Sequence, residues 1–204
     1  MKNQKSHKVY NAEISAGSLM LRESRKVAKL LLVGADEKTW HQAIHVENVL
    51  QKKVPATARR MARLIRNRLD PMSPDLWKLI INGSAETALQ ALLVAAIHHS
   101  RLLGDFLNDV IKEKYRIFDK QLTVQDWKKF LYTCELRDSV VSTWSEKTKA
   151  KLGQVIFRIL AEAKYLDSTR SLKLMPVTLI PEVRSYLLKH QEKYILRCMD
   201  VAHE

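Results

Sequence analysis

Apolar residues along this chain recur three and four positions apart, and that period predicts a succession of amphipathic helices. A first helix is expected from Ser18 to Val33, closed by Gly34, a residue suited to the end of a helix. A second is expected from Glu37 to Leu50, with Asp36 placed to cap it. Pro55 opens a third, at the position where its missing N–H costs nothing, and this helix runs to Leu69, before Asp70 and Pro71. Further helices are expected over 74–82, 84–101, 105–118 and 123–136, with Ser73 and Ser84 as caps and Gly83 and Gly104 as breaks. The 84–101 segment is apolar on nearly every side, as a buried central helix would be. His98 and His99 close it, where the helix dipole favours them.

Beyond residue 136, Thr143 and Glu146 form a capping-box pattern that opens a helix to Lys164. Leu172 to Ile180 is the one stretch that reads as extended, with room for at most one short hairpin around Met175 and Pro176. Pro181 opens a last helix to Met199, whose core stripe is Val183, Tyr186, Leu187, Tyr194, Ile195 and Cys198. The expected fold is therefore all-α: a multi-helix globular protein with two helix-turn-helix-like units and, at most, a β-hairpin wing near 172–180. Residues 1–8 read as a flexible basic tail, 9–120 as an N-terminal helical region with a helix-turn-helix at 37–69, and 121–204 as a C-terminal winged-helix-like region. Only five glycines and five prolines occur in 204 residues, fewer than an all-β chain of this size needs for its turns.

Charge changes the picture. Lys and Arg number 35 against 22 Asp and Glu, a formal +13, and such an excess costs self-repulsion unless an anionic partner uses it. The longest apolar run, Ala91 to Ile97, is far short of the roughly 18–20 residues a spanning helix needs, so no membrane partner is expected. Glu13 and Arg22 interrupt any apolar core behind the charged start, so no signal peptide is expected either. Cys134 and Cys198 lack metal-ligand spacing and suit a reduced, cytoplasmic chain.

The excess charge is concentrated. Residues 49–70 hold seven basic side chains and one acidic one. On a helical wheel Ala58, Met61, Leu64, Ile65 and Leu69 fall on one side, and Arg59, Arg63 and Arg66 line the other, flanked by Arg60. Lys52 and Lys53 occupy the preceding turn, and Thr57 lies near the helix start. Helix, turn and arginine-bearing helix is the plan of a helix-turn-helix, and the planar guanidinium fork suits phosphate or guanine edges. Arg68 falls on the apolar arc and is expected to be a chain-end or internally paired residue. A second, weaker patch is Lys147, Lys151 and Arg158, opposite the apolar stripe of the 143–164 helix, with Glu146 and Glu162 diluting its field. The preceding helix carries Trp127, Phe130, Leu131 and Cys134 at i, i+3, i+4 and i+7.

Catalytic signatures are missing: no Gly-rich phosphate loop, no Gly-x-Ser-x-Gly elbow and no converging carboxylates. No catalytic residues, cofactor or metal are expected. His41 and His45, with Glu37 a turn earlier, read as a polar helix face rather than as ligands. Aromatic residues are 7% and lie on core stripes, which argues against stacking platforms for single-stranded RNA.

The stretches AEISAGSLMLRESRKVAKLLL (12–32) and PATARRMARLIRNRL (55–69), in a basic chain of this size, resemble the BrxA family, small core proteins of bacteriophage exclusion (BREX) defence systems. The likeness runs from Tyr10 to the last helix. It implies a bacterial cytoplasmic protein acting beside a DNA methyltransferase, ATPases and a phosphatase-like protein, and it supplies no catalytic residues. The expectation is a non-catalytic, monomeric protein that binds double-stranded DNA through its basic helices. The alternative is a protein–protein adaptor whose charge aids solubility or docks an acidic partner.

Overall fold

The computed structural model describes residues 9–201; the basic tail expected over 1–8 lies outside them. The described residues form α1 (Leu21–Leu32), α2 (Glu37–His41), α3 (Pro55–Leu69), α4 (Pro74–Asn82), α5 (Ala85–His99), α6 (Arg101–Phe106), α7 (Lys112–Arg116), α8 (Val124–Arg137), α9 (Glu146–Glu162), α10 (Pro181–Lys189) and α11 (Lys193–Met199). The fold is all-α, and no sheet occurs among these residues.

Local chemistry sets most boundaries. Pro55, Pro74 and Pro181 each stand in the first turn of a helix. The Asp36 carboxylate accepts from the Thr39 N–H at 2.7 Å, and the Ser84 hydroxyl accepts from the Thr87 N–H at 3.1 Å. Thr123 and Asp126 form a reciprocal capping box. The central helix is α5: every residue from Ala91 to Ile97 is buried, and α1, α3, α4, α6, α10 and α11 pack around it. One buried cluster extends from Tyr10 to Met199.

Several boundaries differ from the sequence-based expectation, each for a physical reason. The first helix begins at Leu21 rather than Ser18, because 17–20 is a tethered loop. Arg68 donates to the carbonyls of Gly17 and Ser18 at 2.8 and 2.6 Å, and the Leu19 N–H donates to Glu162 at 2.8 Å. The second helix passes into a π-turn over Gln42–Val46 and stops there, since Asn48 and Gln51 take left-handed backbone at φ 46° and 54°. Gly104 is not a break. Ser100 caps α6 instead, and the helix continues through a π-turn, Leu107–Ile111, into α7. A Cβ at Gly104 would collide with the Tyr194 ring, so packing requires the glycine. The Thr143–Glu146 capping box does not form: Ser139–Thr143 is a 3-10 turn, and Ser145 caps α9 by accepting from Thr148 N–H at 3.2 Å. The final helix breaks at Gln191, φ 57°, into α10 and α11.

No hairpin wing projects from 172–180. Instead the segment is lashed between two others. The Leu122 N–H donates to Leu172, the Leu174 N–H to Lys120, and the Met175 N–H to Tyr165. The Gln90 amide of α5 then clasps both Thr178 and Ile180 at 2.9 Å. Leu172, Leu174, Val177 and Leu179 are buried, so the alternation that suggests a strand serves to cover the core.

Candidate nucleic-acid interface

Helix α3 sorts as its periodicity requires. Ala58, Ala62, Leu64, Ile65 and Leu69 are buried, while Arg59, Arg60 and Arg63 are exposed and have no ion-pair or hydrogen-bond partner among the described residues. Lys53, in the preceding connection, is exposed and similarly free among them. Thr57 is half-buried, its N–H bonded to the Val54 carbonyl in the first turn. The connection itself spans 47–54, longer than the roughly 3–4 residues usual between the two helices of a helix-turn-helix.

Two residues expected on this surface have structural partners. Arg66 stacks over the Trp40 ring at 4.6 Å and donates to Glu37 at 2.8 Å, joining α3 to α2. Lys52 pairs with Glu23 of α1 at 2.5 Å, and its backbone is held at both ends by the Asn48 amide. Arg68, only 4% exposed, is internally paired as its place on the apolar arc requires. Desolvation holds its guanidinium at about 10, below the usual arginine range, with Glu162 partly restoring the charged form.

On α9, Lys147, Lys151 and Arg158 are exposed and free of partners among the described residues. The acids that dilute this patch in the sequence are engaged elsewhere. Glu146 pairs with Lys149, which also holds Glu135 at 2.7 Å, and Glu162 accepts from Leu19 N–H. Beside the patch, Val124, Trp127, Leu131 and Tyr132 of α8 line an open groove with Ala150 of α9, and Tyr132 and Leu136 are exposed.

A cationic feature outside these two patches belongs to α1. Arg22, Arg25, Lys26 and Lys29 stand at i, i+3, i+4 and i+7, one face of a helix, and line a groove closed on the far side by Leu50, Gln51 and Lys52. The spacing is present in the sequence, but Glu23 lowers the local net charge and density alone points to α3.

Other chemistry is sparse. The His41 and His45 rings stack at 4.4 Å, and no group of three His, Cys, Asp or Glu able to hold a metal occurs among the described residues. Burial pushes the Cys134 thiol up to about 12 and the Cys198 thiol to about 11, far from a reactive thiolate. Ser73 Oγ lies 3.3 Å from His190 Nε2, and Asp75 Oδ2 lies 3.4 Å from the same nitrogen. One nitrogen cannot both take a proton from the serine and be oriented by the carboxylate, so the trio lacks the relay of a hydrolase triad. No helix among the described residues is long and apolar enough to cross a membrane.

These features define an all-α protein with cationic helix surfaces. The BrxA family model matches residues 8–191. A protein of Paramagnetospirillum magneticum (strain ATCC 700264 / AMB-1), named BREX protein BrxA, is 44% identical over 95% of this chain and 97% of its own. A protein of Escherichia coli O9:H4 (strain HS) with the same name is 35% identical over 96% of this chain and 92% of its own. The crystal structure of an uncharacterized protein from Magnetospirillum magneticum superposes with a TM-score of 0.87 at 42% identity, over 95% of this chain and 100% of that one. The chain belongs to the BrxA family.

Proposed function

We propose that this protein is a non-catalytic, double-stranded DNA-binding accessory protein of a bacteriophage exclusion system. It works as a cytoplasmic monomer beside the methyltransferase, ATPases and phosphatase-like protein of such a system. The observation that carries the reading is the set Lys53, Arg59, Arg60 and Arg63: four exposed cations within eleven residues, none engaged by an acid among the described residues. Unpaired arginines on a helix whose other face is fixed in the core form a rigid electrostatic footprint for phosphates. Lys147, Lys151 and Arg158 add a secondary patch. The test is an anisotropy titration of labelled duplex at several salt concentrations, comparing the natural protein with Arg59→Ala/Arg60→Ala/Arg63→Ala. The variant should bind every duplex more weakly and flatten the salt slope by about 0.9 for each phosphate it no longer neutralises. Unchanged affinity and slope in a folded variant removes α3 from the interface.

A second reading, a protein–protein adaptor, is favoured by the α8 face. Val124, Tyr132 and Leu136 are 56%, 65% and 73% exposed, an apolar set that DNA does not require. Retention of partner binding by the triple α3 variant, with DNA binding absent in both proteins, would support it.

A further inference from the structure

We infer that the groove between α1 and the 48–53 turn is a second seat for the phosphate backbone, continuous with the α3 surface. This rests on the DNA-binding reading above and extends it to residues of a different helix. Five cations line or close the groove, Arg22, Arg25, Lys26, Lys29 and Lys52, against a single lining acid, Glu23, which Lys52 already holds at 2.5 Å. Like charges at i and i+4 destabilise a helix, and α1 carries two such pairs, Arg22 with Lys26 and Arg25 with Lys29. Among the described residues, no acid from across the groove relieves them. An anion seated there would.

The groove is built in advance of any ligand. Lys26 Nζ donates to the Val49 carbonyl at 2.5 Å, and Arg25 donates to the Ile80 and Gly83 carbonyls at 3.0 and 2.7 Å. Carbonyl partners fix these side chains without neutralising them. On the opposite wall, the Asn48 amide accepts from Lys52 N–H and donates to the Lys52 carbonyl, locking a turn whose Asn48 and Gln51 take left-handed backbone. Arg22 and Lys29 are exposed and free of partners among the described residues, leaving them available to bond directly. Seven residues apart, they are separated by about 10 Å along the helix, far enough to meet different phosphates of one strand.

The chain connects this groove to α3 without a gap. Lys52 lines it, Lys53 follows, and Pro55 opens the helix that carries Arg59. A strand whose phosphates meet Arg59 and Arg63 therefore has cationic surface ahead of it across the turn and onto α1.

The experiment compares Arg22→Gln/Lys29→Gln with Arg59→Ala/Arg60→Ala/Arg63→Ala in the full chain, using labelled duplexes of two unrelated sequences between about 50 and 200 mM salt. Lys29→Gln alone is a milder control, and thermal melts check folding. The α1 pair should flatten the salt slope by about 2 units, with equal weakening on both sequences, and Lys29→Gln by about 1. The melting temperature should hold or rise, because repulsion within α1 is relieved. If the α1 variants keep the natural slope while the α3 variant does not, the groove is not a backbone seat and the α3 reading stands. If neither variant changes binding, both readings fall. Titration with inorganic tripolyphosphate gives the remaining arm. Tripolyphosphate binding that needs Arg22 and Lys29, with duplex affinity indifferent to them, would mark a small-phosphate site and overturn the inference.

Discussion

Arg66 lies 4.6 Å from the centre of the Trp40 ring, so an arginine on the cationic side of α3 serves as the fastener between α2 and α3. Its Nη1 also reaches Glu37 at 2.8 Å, although Glu37 is 80% exposed and the ion pair is largely screened. Stacking at a half-exposed site contributes about 0.5–1 kcal/mol and the ion pair adds at most about as much. Arg66→Ala should therefore lower the melting temperature by about 2–4 °C. It should change the salt slope of DNA binding less than Arg59→Ala or Arg63→Ala does. A slope change as large as theirs would show that Arg66 leaves Trp40 when DNA arrives.

Arg68 is the more costly residue to remove. Its guanidinium satisfies two carbonyls of the 17–20 loop, and Glu162 holds the same loop through Leu19 N–H. Arg68→Ala would leave the Gly17 and Ser18 carbonyls without these donors and Glu162 without its nearby cation, a cost of about 3 kcal/mol or more. Urea unfolding should show the midpoint falling sharply, and Arg68→Lys, which keeps the charge but not the fork, should recover only part of it.

The elements whose boundaries come from short-range chemistry are legible in the sequence: α3 and α10 from their prolines, α4 from the Gly83 that ends it, α5 from its all-round apolar surface, α8 from its i, i+3, i+4, i+7 stripe. Features that depend on distant partners are not. Gly104 reads as a helix break because its requirement comes from Tyr194, ninety positions on. Arg66 and Lys52 read as ligand-facing because Trp40, Glu37 and Glu23 reach them only after folding. The 172–180 segment reads as a wing because alternation reports one buried face without saying what lies under it.

His99 supplies an acid-sensitive element. Burial, and then the neighbouring Arg68, hold its imidazole below the usual histidine value, with Glu13 at 3.3 Å opposing them. The folded state thus binds fewer protons than the unfolded chain between the depressed value and about 6.5. Stability rises with pH through that window and declines as pH falls through it. Urea midpoints measured from neutral to mildly acidic pH should decline for the natural protein and decline less for His99→Gln. Parallel curves would assign the acid sensitivity to other groups.

Gly104→Ala separates the two readings of that glycine. In an exposed helix interior the change would stabilise by about 1 kcal/mol. Here the new Cβ would strike the Tyr194 phenol, whose hydroxyl donates to Asp105 at 2.8 Å. Asp105 is buried and also accepts from Tyr10 and Arg101, so displacing Tyr194 disturbs a shared network. Overpacking of this kind costs about 1–3 kcal/mol, enough to outweigh the gain in helix propensity. The melting temperature should fall. A rise would mean that α11 can move away without cost.

The α9 patch should matter less to duplex binding than α3. Lys147, Lys151 and Arg158 are spread along α9, about 16 Å of helix from first to last, whereas Arg59, Arg60 and Arg63 fall within five consecutive residues. Two of the three α9 cations are lysines, whose compact and strongly hydrated charge binds phosphate without the bidentate geometry of arginine. Arg158 also borders a groove lined by Val124, Trp127 and Phe157, apolar side chains that add nothing to phosphate binding. Replacing all three with Ala should leave α9 intact, since alanine is the best helix former and none of the three side chains is buried. Affinity should fall less than for the α3 triple variant at each salt concentration, with a correspondingly smaller change in slope. Combining the two sets should give additive slope changes if both touch one duplex, because each neutralised phosphate releases its own counterions. An α9 variant that binds as the natural protein does, while the combined variant matches the α3 variant alone, would take Lys147, Lys151 and Arg158 out of the DNA surface and leave them to the neighbouring groove.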